Sequence, residues 1–136
     1  VAVEVVSEST ADEDYHQKPA KYAASGTREL WVFDPLKLGP KADRCALQVW
    51  KRLRRSGFRR VYAGDGPAFS EELGAWIVVT DEGVRLRIAD DEEGKRLWPT
   101  EGEAERAEKE AERAAKEAAL AEVERLRAQL VKLQGK

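Results

Sequence analysis

The sequence predicts an α+β protein, a mixed sheet carrying hairpins and followed by one long charged helix. Three observations point there. Two apolar runs, Val1 to Val6 and Glu29 to Phe33, flank a short stretch of helix formers. Two further pairs of short alternating runs are each joined by a turn. From Glu101 to Gln134 there is no proline, and Gly102 is the sole glycine.

Bulk composition agrees. The 136 residues suffice for one compact domain and an appendage. Charged residues make up 37% of the chain, an excess gathered after Trp98. The expected division is therefore a core over 1–100 and a charged, Ala/Glu-rich helix over 101–136. The formal net charge of −2 excludes a whole-molecule basic field, so any contact with nucleic acid must come from a local patch. One cysteine, Cys45, excludes an internal disulfide and a cysteine-built metal site. No stretch has the length of a membrane-spanning helix, and no basic leader precedes an apolar run. A cytoplasmic protein without a membrane partner is expected. Met is 0 and the chain opens inside a strand, which suggests a C-terminal portion of something longer.

Taken in order, Val1 to Val6 (VAVEVV) reads as a strand buried on both faces. Ser7 to Asp14 is polar, with Ser9, Thr10 and Asp12 as candidate caps. Pro19 to Ser25 predicts a helix stopped by Gly26. Glu29 to Phe33 is a second strand closed by Asp34-Pro35, and the whole is a βαβ unit with parallel strands. Leu36 to Asp43 is turn-rich. Cys45 to Leu53 and Phe58 to Ala63, around Arg54-Arg55-Ser56-Gly57, make one hairpin. Trp76 to Thr80 and Val84 to Ile88, around Asp81-Glu82-Gly83, make another.

The final segment predicts a helix of roughly 50 Å at about 1.5 Å per residue. Alanines recur at 104, 107, 111, 114, 118 and 121, and a larger apolar stripe follows through Ala119, Val123, Leu126, Leu130 and Leu133 on a shifted face. A coiled coil is one use of it. The alanine seam buries little, and the shift argues against a single long straight partner.

Glu4 is the chemical oddity. A carboxylate in a buried strand costs several kcal/mol unless paired, protonated or metal-bound. Alternation puts it on the face of Ala2 and Val6. It either holds a divalent cation or lies on an edge strand facing water, and the pattern does not separate these. Asp14 and Lys18, taken alone, form an ordinary i, i+4 pair.

The spacing of the whole stretch says more. Glu4-Val5-Val6-Ser7-Glu8-Ser9-Thr10, then Asp14, Lys18, Tyr22, Gly26, Glu29-Leu30-Trp31 and Asp34-Pro35 resembles the Uma-type restriction endonuclease family. That family shows an "EVLSPST" strand end, then D, K and Y four residues apart, a glycine, "EYW" and "DP". The resemblance runs without a gap from Val3 to Pro35 and persists more weakly to about Thr100. It implies a PD-(D/E)xK core, here truncated and restriction-endonuclease-like, cleaving DNA phosphodiesters with Mg²⁺. By position, Glu4 is then the acidic metal ligand and Lys18 the catalytic lysine displaced onto the helix. The second acid of that pattern belongs upstream of Glu4, so this chain alone is expected to have little or no activity. Pro19 predicts an extended conformation at Lys18.

Supporting places fall to Ser7, Asp14 and Tyr22. Ser7 touches a phosphate or only its own turn. Asp14 caps the helix or pairs with Lys18, and Tyr22 packs on the sheet with its hydroxyl satisfied. His16, the sole histidine, is expected at the surface. Lys51, Arg52, Arg54, Arg55, Arg59 and Arg60, interleaved with Trp50, Phe58 and Tyr62, form the one dense basic patch. It is a solvated surface or a track for a phosphate backbone. The competing function is a non-catalytic remnant that self-associates as a homo-oligomer, or docks elsewhere, through residues 101–136.

Overall fold

The computed structural model describes residues 1–55 and 57–135, the side chain of Asp43 excepted. Ser56, placed in the first hairpin turn, and Lys136 lie outside the described residues. The chain divides into two compact units, Val1–Trp98 and Pro99–Lys136.

Unit 1 holds two sheets. In the first, β1 (Ala2–Val5) pairs in parallel with β2 (Glu29–Phe33). Then β3 (Leu47–Arg52) and β4 (Phe58–Gly64) continue it antiparallel, in the order β1-β2-β3-β4. The expected βαβ unit and first hairpin are both present. The second sheet is β5 (Ala68–Ser70), β6 (Ala75–Thr80) and β7 (Arg85–Ala89), all antiparallel. Its β6-β7 hairpin was expected. The three-residue β5 is too short to show alternation.

Strand alternation sorts the first sheet into two faces. Trp31, Leu47 and Val49 point to the second sheet and meet Ala68 and Ile77, with Tyr62, Val79, Leu86 and Ile88 around them. Leu30 and Val32 point the other way and join Val6 under two helices, packed by Ala2, Ala11, Tyr15, Tyr22, Trp50 and Phe58. β2 is buried on both faces, all five of its residues, because both layers cover it along its whole length.

The first strand differs from expectation. β1 is an edge strand, with Val1, Val3 and Val5 exposed at 51, 46 and 59%. Its apolar run mimics a central strand, but the second sheet does not extend over it. Its inner face, Ala2, Glu4 and Val6, is the covered one.

The crossover also differs. Two helices fill it, α1 (Ala11–His16) and α2 (Lys18–Ala24), where the sequence predicted one helix after a polar loop. Asp12, Glu13 and Asp14 occupy the first turn of α1, where the helix dipole favours acids. The chain turns between the helices at Gln17, and Pro19 falls in the first turn of α2, where a missing N–H costs nothing. Lys18 is consequently helical and not extended.

Unit 2 is one helix, α3 (Glu101–Gln134), as the composition predicted. Thr100 caps it reciprocally with Glu103: the Thr100 hydroxyl accepts from the Glu103 N–H, and Glu103 accepts from the Thr100 N–H at 2.8 Å. Among the described residues no helix is long and apolar enough to cross a membrane.

Candidate active site on the inner face of the first strand

Glu4 sits in the middle of β1, on the face closed by α2. Its side chain is 17% exposed and that of Lys18 26%. Oε1 of Glu4 accepts a hydrogen bond from the Tyr22 hydroxyl and lies 3.4 Å from Lys18 Nζ. Lys18 and Tyr22 are one helical turn apart, so α2 presents both to one strand residue. Three positions scattered over nineteen residues of sequence thus become one cluster.

Electrostatics follow from these contacts. The hydrogen bond and negative charge of Glu4 hold the Lys18 pKa above its ordinary value. Tyr22 is also raised, first by donating to Glu4 and then by burial. At neutral pH both are protonated donors. Lys18 is therefore a cation that can steady negative charge, and it is not poised as a base.

The metal question turns on the donor set. Glu4 Oε2 has no hydrogen-bond partner among the described residues, so one carboxylate oxygen is free to ligate. No group of three or more His, Cys, Asp or Glu able to hold an ion occurs among those residues. The described residues offer one ligand and do not close a site.

Other candidates from the sequence have local duties. Ser7 accepts from the Thr10 and Ala11 amides at 3.1 and 3.0 Å, and its hydroxyl meets those of Ser9 and Thr10. Asp14 neither caps α1 nor pairs with Lys18. It is buried, 2% exposed, and accepts from the Thr10 hydroxyl at 2.6 Å. His16 is at the surface, 3.7 Å from Asp12.

The basic run of the β3-β4 hairpin is divided by strand alternation. Lys51 faces the second sheet and bonds Glu71. Arg52 faces the helices, donating to the carbonyls of Thr27, Ala23 and Tyr22 at 2.7, 2.9 and 3.1 Å, and to that of Ser25. Its guanidinium also lies over Phe58, and that of Arg60 over Trp50. Arg54, Arg55 and Arg59 are left as the cations most available to an outside ligand.

Two buried carboxylates escaped the sequence reading. Glu29, 0% exposed, accepts through Oε1 from Trp31 Nε1 at 2.6 Å and from the Ser70 hydroxyl. Asp34, also 0% exposed, accepts through Oδ2 from the Tyr15 hydroxyl at 2.6 Å and the Gly39 amide at 3.0 Å. A side chain at Gly39 would meet the Tyr15 ring at 2.8 Å, so glycine lets this loop close on the acid. Glu29 Oε2 and Asp34 Oδ1 are left without partners among the described residues. Glu29 sits on the opposite sheet face from Glu4 and cannot join its cluster.

Residues 1–65 match the model of the Uma2 family, described as "Putative restriction endonuclease". The matched stretch contains the whole Glu4, Lys18 and Tyr22 cluster, and it stops before β5. No curated protein matches the chain.

Proposed function

We propose that this chain is a nuclease of the Uma2 kind, acting on DNA phosphodiesters, with Glu4 as an acidic metal ligand and Lys18 as its cationic partner. The observation that carries this reading is the convergence of Glu4, Lys18 and Tyr22 on one covered strand face, inside the stretch that resembles the family.

A divalent ion, Mg²⁺ by the resemblance, supplies polarisation of the phosphate and activation of water when bound. Glu4 Oε2 is where this chain would hold it. Tyr22 fixes the other oxygen and so orients the carboxylate. Lys18, kept protonated, offers N–H donors to phosphate oxygens as negative charge builds on them. With one ligand present among the described residues, the affinity for the ion is weak and cleavage by this chain alone is slow or nil. Arg54, Arg55 and Arg59 lie on a different element and would contact the phosphate backbone without reading bases.

Binding of Mn²⁺ to the whole chain, followed by paramagnetic line broadening, tests the assignment without requiring turnover. Broadening is expected around Glu4 and should vanish in Glu4→Gln. Lys18→Ala should keep or strengthen it, because a competing cation is gone. Plasmid nicking, where measurable, should fall in both variants. Equal broadening in Glu4→Gln and the native chain removes the metal assignment, and nicking untouched by both substitutions removes the catalytic one.

A further inference from the structure

The last third of α3 carries apolar side chains that an isolated helix in water has no use for. Val123, Leu126, Leu130 and Leu133 are 43, 46, 55 and 72% exposed. Their steps of three, four and three are those of heptad positions a, d, a and d. Extending the frame backward puts Ala119 at d and Lys116 at a. The flanks follow: Ala115 and Glu122 fall at g, Leu120 and Arg127 at e. We propose that α3 pairs with α3 of a second copy as a parallel two-stranded coiled coil over residues 115–133.

Strand number and direction come from separate features. Val123 at a beside Leu126 at d favours two strands, and a lone lysine at a, here Lys116, fixes register at some cost in stability. In a parallel pair, Glu122 at g, which bonds Arg125 of its own helix at 2.6 Å, would share its carboxylate with Arg127 of the partner subunit at the following e, and symmetry makes two such ion pairs. One heptad earlier, Ala115 at g meets Leu120 of the partner subunit, extending the apolar seam. An antiparallel pair would set g against g and e against e, so Glu122 and Arg127 would flank opposite sides of the seam and form no ion pair with each other.

The frame also limits the coil. Above residue 115 it would place Glu112 at d and Lys109 at a, and the upstream alanine seam lies on another face. The pairing region is thus about 28 Å of helix at about 1.5 Å per residue.

Sedimentation equilibrium of the whole chain, free of metal and DNA, tests the pairing independently of any nuclease activity. A concentration-dependent monomer–dimer equilibrium is expected, and Leu126→Glu with Leu130→Glu should leave monomer at every concentration. Glu122→Arg or Arg127→Glu alone should weaken the dimer by about fivefold, since two exposed attractions become repulsions. Both together should restore it. A native chain that is monomeric throughout, or that forms trimers, overturns the proposal. A double exchange no better than its single members overturns the parallel register.

Discussion

The Lys18 ammonium and the Tyr22 hydroxyl both rest on a single oxygen of Glu4, and this ties the junction of α2 and β1 to pH. Both groups hold their protons more firmly in the folded chain, each above its ordinary value because of the bond to Glu4. Their contribution to stability is therefore whole at neutral pH. It begins to fade as pH passes the unfolded values and is gone once pH exceeds the raised ones. Unfolding free energy followed into the alkaline range should fall less steeply in Glu4→Gln than in the native chain. Parallel curves would show that the cluster does not couple to folding.

Among the elements, α2 is held at its C-terminal end by a side chain from outside itself. A seven-residue helix is too short to persist on propensity. Arg52 reaches over from β3 and donates to four carbonyls around its C-terminal end, the negative pole of the helix. Arg52→Ala should cost about 2 kcal/mol in urea unfolding, in the range of hydrogen bonds from a charged donor. Arg52→Lys should recover less than half of it, because an ammonium cannot span the fork. Equal stability in native and alanine forms would mean that the carbonyls are as well served by water. Since α2 also carries Lys18 and Tyr22, the substitution should loosen the Glu4 cluster.

Over the whole molecule, the net charge of −2 sets the terms on which DNA could be held. With Lys51 and Arg52 tied to partners within unit 1, Arg54, Arg55 and Arg59 are the hairpin cations left for the proposed phosphate contacts. Binding to a duplex without metal should show a slope of log Kobs against log salt of about −3 or shallower. Arg54→Ala should take close to one unit from it. A slope unaffected by that substitution would place the DNA elsewhere on the surface.

The sequence by itself determined the elements whose local signals are unopposed: the parallel pair β1 and β2, the β3-β4 and β6-β7 hairpins, and α3. The Thr100-to-Glu103 capping box, whose partners are three residues apart, is as local a feature but was not among the expected caps. The residues Glu4, Lys18 and Tyr22 could be named from the family resemblance, but their contact could not be seen there. Which face of a strand is covered is decided by layers that pack on it, and that is why the run in β1 read as buried on both faces whereas Val3 and Val5 lie exposed. Pro19 in the first turn of α2 leaves Lys18 helical, while the same long-range effect buried Glu29 and Asp34 and chose the partners of Lys51 and Arg52. Sequence spacing carries local periodicity, whereas burial and the pairing of charges depend on segments brought together only when the chain has folded.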